Sequence, residues 1–236
     1  MSKLKMLMVG ALTLCLAWGC DDEETPPTPD AMPMTDASAG DAMSTPDAEP
    51  EGLLCGWSDD DFDWGVMIGR NMRPLTLSRC DGTEFSLPHA GMCNPTDVVD
   101  TENVRFSVLI MSAGWCAPCR RESEMLSEFL TDVYKAHGVE VIQVLTATEG
   151  PDLDQAYCDA WVSTYDLDRP NFAMLMDPGN TQTGRYFPAG SLPANLIVDN
   201  SGIIQFREYG AETRLTSVTN RLDELLCENY TERCGG

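Results

Sequence analysis

Ala113-Gly114-Trp115-Cys116-Ala117-Pro118-Cys119, arriving straight after the apolar run 104–112, is the stretch whose reading decides the fold. The run contains Val108-Leu109-Ile110-Met111 and predicts a strand buried on both faces of a sheet. A helix is predicted over 117–136, stopping at His137-Gly138. Two cysteines three apart at a helix start can close a small disulfide ring. The first lies beside the helix's unpaired N–H groups and its positive dipole end, which favours thiolate over thiol. Thiolate is the attacking species in disulfide exchange, so Cys116 is chemically primed. Pro118 suits the first turn, where its missing N–H had no partner to lose.

Working outward, Asp81-Gly82 predicts a hairpin turn between strands 75–79 and 84–87. Beyond the central helix, 139–146 reads as a second central strand and 152–164 as a helix opened by Pro151. A strand at 172–176 follows, then a hairpin of 194–199 and 203–208 around Asn200-Ser201-Gly202, then a helix over 212–228. Strands alternating with helices predict an α/β domain whose central sheet is largely parallel, with a terminal antiparallel hairpin.

Trp115-Cys116-Ala117-Pro118-Cys119 resembles the motif of the thioredoxin superfamily, and within it the TlpA/ResA-like periplasmic branch. Glu122 stands where several members of that branch carry an active-site Glu, and Ser191-Leu192-Pro193 precedes a strand as the family's cis-proline loop does. The resemblance covers roughly 67–226. It implies a thioredoxin-like fold, a mixed central sheet flanked by helices. The 74 residues from Cys119 to Pro193 leave room for an extra strand–helix insertion between the CxxC helix and the cis-Pro loop. It also implies a thiol–disulfide oxidoreductase, leaning to reductase, that needs no cofactor and acts on protein thiols and disulfides with a separate electron donor. Cys116 would attack, Cys119 would resolve, a cis Pro193 would lie against the sulfurs, and Trp115 would shield them. Glu122 would assist proton transfer at Cys119 if buried; otherwise it is a first-turn acid complementing the dipole. Two departures weigh against a simple transfer: Glu124 stands where the branch often has a kinking proline, and the strand before the motif lacks the buried Asp of thioredoxins proper.

The amino terminus reads as an export signal over 1–19: Lys3 and Lys5, a thirteen-residue apolar run over 6–18, then small residues. Thirteen residues fall short of the roughly 20 that span a bilayer. Leu16-Ala17-Trp18-Gly19-Cys20 resembles a bacterial lipobox, which implies lipidation of Cys20 and a membrane anchor facing the periplasm or surface; ordinary peptidase cleavage at the same bond is the alternative. Residues 21–51 carry ten acidic side chains and no Lys or Arg, with six prolines, so 20–52 reads as a self-repelling tether and 53–236 as the folded domain. Met32, Met34 and Met43 are too loosely spaced to predict a copper site.

With 15 Lys and Arg against 38 Asp and Glu, the net charge of −23 argues against a nucleic-acid partner. Ten cysteines in an exported chain predict bridges. Cys55, Cys80, Cys93, Cys158, Cys227 and Cys234 are the structural candidates, which allow fifteen connectivities. Cys227 with Cys234, and Cys80 with Cys93, are the expected pairs. A zinc site competes, but no second close cysteine pair complements Cys116 and Cys119. His89 and His137 are expected not to be ligands. Rival functions are a thiol peroxidase, a copper chaperone and an inert lipoprotein domain. Peroxiredoxins carry Thr three residues before the reactive cysteine, where Ala113 stands; copper chaperones of this fold add a distal His, and none follows His137.

Overall fold

The run 106–112 is buried at every position, and its side chains alternate between two cores. In a computed structural model of the chain, which describes residues 57, 64–89, 92, 104–129, 132–150, 152–188, 190–210 and 215–230, this run is the central strand β3. The strands are β1 (Leu75–Arg79), β2 (Glu84–Leu87), β3 (Phe106–Ser112), β4 (Val139–Leu145), β5 (Phe172–Met176), β6 (Ala194–Asp199) and β7 (Ile204–Tyr209). The helices are α1 (Ala117–Phe129), α2 (Asp132–Ala136), α3 (Gln155–Thr164) and α4 (Thr216–Tyr230). Among the described residues the strands make one sheet in the order β2-β1-β5-β4-β3-β6-β7.

This is a mixed sheet. Parallel pairing is confined to β3–β4 and β4–β5; β1–β2, β1–β5, β3–β6 and β6–β7 are antiparallel. The expectation of a largely parallel sheet is therefore corrected. The β3–β4 and β4–β5 connections run through helices, which return the chain in the same sense. The extra strand–helix pair between the CxxC helix and Pro193 is present as α3 and β5.

Period-two alternation along β3 sends Val108 and Ile110 to one face and Leu109 and Met111 to the other. The first face is covered by helices, through Leu126 of α1, Trp161 of α3 and Leu222 of α4. The second is covered by Trp57, Met72, Tyr186 and Phe187 together with the β1–β2 hairpin. Trp57 lies against Gly202, where a Cβ would stand 2.6 Å from the indole ring, so the β6–β7 turn needs glycine both for this contact and for its φ of +82°.

Helix ends differ from expectation for local reasons. Asp154 caps α3, accepting from the Tyr157 amide at 2.8 Å, so the helix starts at Gln155 rather than at 152. The predicted single helix 117–136 is described as α1 and α2, and 130–131 lie outside the described residues. The predicted start of the last helix at 212 also lies outside them. No helix of the described residues is long and apolar enough to cross a membrane. The export signal, Cys20, the methionines of the tether, Cys55, Cys93 and Cys234 are outside the described residues.

Candidate active site

β3 delivers Ala113 and Gly114 to its carboxyl end, and α1 begins at Ala117. Cys116 and Cys119 are joined there, with the sulfurs 2.09 Å apart and the Cα atoms 5.2 Å apart. The Cys119 amide donates to Cys116 Sγ at 3.2 Å. That amide is one of the helix's otherwise unpaired donors, so Cys116 caps α1 with its sulfur as Ser or Asp would with oxygen. Charge building on this sulfur during exchange meets a fixed donor and the positive end of the helix. Cys116 is 3% exposed and Cys119 is fully buried, whereas Trp115 is 52% exposed. The indole therefore does not close the site as a packed shield; it stands out beside it.

Leu192 packs on the cluster of Ala113, Cys116 and Cys119, which brings the Leu192-Pro193 bond to the sulfurs; that bond is cis, as expected. The Pro193 carbonyl is engaged by the Gly210 amide at 2.8 Å. A second cis bond, Leu87-Pro88, was not expected.

Glu122 is 1% exposed and lies in the second turn of α1, where Asn195 Nδ2 donates to its Oε1 at 2.8 Å. The reading of Glu122 as a first-turn acid is thus corrected: α1 has no acid in its first turn. Glu124, at the place of the kinking proline, sits on the exposed face of a continuous helix. The strand lacks a buried acid, and the helix supplies one instead.

Sequence reasoning missed the polar frame behind the cysteines. Gln143 of β4 is fully buried and donates to Ser112 Oγ at 2.9 Å and to Ser123 Oγ at 2.8 Å. Ser123 Oγ donates to the Cys119 carbonyl at 3.0 Å, and Trp161 Nε1 donates to Gln143 Oε1 at 3.2 Å. One amide thus ties α1, β3, β4 and α3 together just below Cys119. The signal was a Gln in the apolar stretch Val141-Ile142-Gln143-Val144-Leu145 of β4. Gly114 carries a second signal, since a Cβ there would fall 2.0 Å from the Tyr157 hydroxyl. Burial pushes that hydroxyl's pKa up, the Glu149 carboxylate adds to the rise, and Arg120 offsets part of it. Arg120 itself donates to the Gly114 carbonyl and pairs with Glu149.

One of the expected cysteine pairs is corrected, and the partner expected for Cys227, Cys234, lies outside the described residues. Cys80 bonds Cys158, not Cys93, because the end of β1 faces the buried side of α3. Cys227 is disulfide-bonded. His89 Nε2 lies 3.0 Å from Glu140 Oε1, and no cluster of three or more His, Cys, Asp or Glu suited to a metal occurs among the described residues.

Comparison with known proteins adds the following. The family model described as "AhpC/TSA family" matches residues 79–207. The chain is 26% identical over 156 residues to the thiol:disulfide interchange protein HelX of Rhodobacter capsulatus, covering 66% of this chain and 81% of that one. It is 29% identical over 150 residues to the thiol:disulfide interchange protein DsbE of Allochromatium vinosum, covering 62% and 75%. Among solved structures, a Chlorobium tepidum protein described as a thiol:disulfide interchange protein DsbE superposes with a TM-score of 0.53 at 17% identity, over 69% of this chain and 99% of that one. That likeness shows the thioredoxin-like fold.

Proposed function

The chain belongs to the AhpC/TSA family, and from that premise we infer that it is a thiol–disulfide oxidoreductase whose reacting pair is Cys116 and Cys119. The observation that carries the assignment of the pair is the bonded couple at the start of α1, with the Cys119 amide on the Cys116 sulfur. The first sulfur is the one that meets a fixed donor, the Cys119 amide, so it is the nucleophile of the reduced protein and the sulfur attacked in the oxidised one.

In the reducing direction, Cys116 thiolate attacks a substrate disulfide; the substrate's S–S bond breaks, one substrate sulfur leaves as thiolate, and a mixed disulfide forms. Cys119 then gives up its proton and attacks Cys116 Sγ, expelling the second substrate sulfur and closing the internal bridge. Two electrons pass to the substrate. Leu192 and Pro193 form the wall on which the substrate segment lies, and Trp115 offers an exposed apolar contact beside the pair. The reducing direction is favoured because no His or further cation stands between the cysteines to stabilise the thiolate. The chain works in the cell envelope, exported by residues 1–19 and lipid-anchored at Cys20 through the tether 20–52, with protein disulfides as substrates and a separate thiol donor.

Alkylation of the reduced protein across pH tests the assignment: Cys116 should react at neutral pH well above a model thiol, whose pKa is about 8.5. Equal reactivity would remove it. Cys119→Ala should accumulate mixed disulfides whose partners identify the substrate. A reduction potential below about −300 mV would mark an inert bridge instead, and peroxide turnover lost in Cys116→Ser would favour the peroxidase reading. Mass analysis of the mature amino terminus, against Cys20→Ala, tests the anchor.

A further inference from the structure

Asn195 stands second in β6, two residues beyond the cis Pro193, and is 1% exposed. Its amide donates from Nδ2 to Glu122 Oε1 at 2.8 Å, while its own Oδ1 has no hydrogen-bond partner among the described residues. A buried amide oxygen without a donor is costly, and native proteins rarely retain one. Such an atom calls for a donor in another protonation state. The adjacent group that can supply it is the carboxyl already bonded to the same amide.

A carboxylic acid and a primary amide are complementary: one N–H donates to one carboxyl oxygen, and the acid's O–H donates back to the amide oxygen. The first of these bonds is in place. Glu122 also lies three residues beyond Cys119 on α1, where side chains at i and i+3 are neighbours.

We propose that Asn195 is a positioning residue that holds Glu122 for proton exchange with Cys119, through a two-bond acid–amide ring that closes when Glu122 carries the proton and relaxes to one bond when it does not. The proposal rests on Cys116 and Cys119 being the reacting pair. When the internal disulfide is opened, an incoming thiolate bonds Cys116, the S–S bond breaks, and Cys119 leaves with the electron pair. Glu122 gives its proton to that sulfur and keeps the Nδ2 bond as a carboxylate. In the reverse step the carboxylate takes the Cys119 proton as the sulfur attacks, and the new acid donates to Asn195 Oδ1. Of the other titratable groups among the described residues, Cys116 lies at the start of α1, and Arg121 and Glu124 point from α1 to solvent. Glu208 is in register with Asn195 from β7 and is engaged by the Ser217 hydroxyl of α4; β3 presents Ile110.

The test pairs an infrared difference spectrum, oxidised minus reduced, with the pH profile of the resolving step on a preformed mixed disulfide. The full folded protein is used. In the wild type, a protonated-carboxyl carbonyl band should accompany the oxidised state and vanish in Glu122→Gln. In Asn195→Leu the band should move to the frequency of an acid lacking that hydrogen bond, and resolution should slow about 10- to 100-fold, a partial loss that reaches at most the lower end of full acid–base assistance. Should Asn195→Leu fail to fold, Asn195→Asp keeps the shape; two facing carboxyls then retain one shared proton, and the resolving step should shift to higher pH. An unmoved band with an unmoved pH profile in either variant overturns the role of Asn195. Exchange of Cys116 with a small aromatic disulfide separates the two readings: if the wild type lacks it, the redox assignment fails as well, and if it is intact, only the positioning role is lost.

Discussion

The two described disulfides have the same bond and opposite surroundings. Cys116 and Cys119 are 3 residues apart at the open end of a helix, with an amide aimed at one sulfur. Cys80 and Cys158 are 78 apart and join the end of β1 to the interior of α3, where the Cys158 amide already bonds the Asp154 carbonyl. By loop-closure entropy the long bridge restrains the unfolded chain by about 4.5 kcal/mol and the short one by about 2 kcal/mol. The long bridge therefore holds the fold, while the short one contributes little stability and can be opened and closed without unfolding anything. Chemistry goes where a sulfur has donors and little structural duty.

Breaking the short bridge should have the largest effect and confine it to activity. Cys116→Ser is expected to lower disulfide exchange at least about 10³-fold, the scale of losing a nucleophile, while thermal unfolding moves by only a few degrees. If Cys116→Ser lost as much stability as a long-bridge variant, the division between the two would collapse. Cys158→Ala should do the converse. Loss of a native bridge in a small exported domain costs about 2–5 kcal/mol, read as a lower urea midpoint, with exchange per folded molecule unchanged.

Titration with a dithiol reductant sharpens the same contrast: Cys116–Cys119 should open first, with the far-ultraviolet spectrum unchanged, and Cys80–Cys158 only at more reducing poise or on unfolding. Simultaneous opening would contradict it. A smaller effect is expected from Gln143→Leu, which removes the amide linking Ser112, Ser123 and Trp161. Taking that bond from each of these buried groups costs about 1–3 kcal/mol, and it should loosen the α1 start enough to lower the exchange rate, unlike any change at Cys158.

What the amino-acid sequence disclosed follows from how local the cause is. β1, β2, β5 and β6 end where turn chemistry and apolar runs place them, because Asp81-Gly82 and the cis Pro193 loop act within a few residues. β7 is displaced by one residue, with a register irregularity opposite Ile197 and Val198. Parallel or antiparallel pairing of β1 against β5 is a long-range matter, and nothing in either strand states it. The bonded pair Cys116 and Cys119, which we propose reacts, was legible because a CxxC at a strand-to-helix junction carries its own electrostatics. Asn195, Gln143 and the Cys80–Cys158 pairing were not, since each depends on a partner many residues away that only the sheet order brings near. A polar residue in a buried strand signals that a partner exists without saying which.

Beside the covalent staple lies a non-covalent one, and it gives the smallest effect to measure. At the carboxyl end of β5, next to β1 in the sheet, Asp177 is 1% exposed and gathers the loop that follows. Its carboxylate accepts from the Thr181 and Thr183 hydroxyls at 2.7 Å each and from the amides of Thr181, Gln182 and Thr183. Burial alone would raise this carboxyl, but the Thr183 amide, the two hydroxyls and the Gln182 amide outweigh it, and its pKa stands below the ordinary value of 3.8. A folded-state pKa below the unfolded one means that the stabilisation is fully present above about pH 4 and fades as pH falls through the folded value. Acid should thus loosen this loop while leaving both disulfides intact, as reductant opens a sulfur bridge and leaves the loop closed. Urea unfolding from pH 6 to pH 2 checks it. Asp177→Asn should be less stable at neutral pH and show a shallower acid decline than the wild type, and an identical decline in the two proteins would remove Asp177 from the acid response.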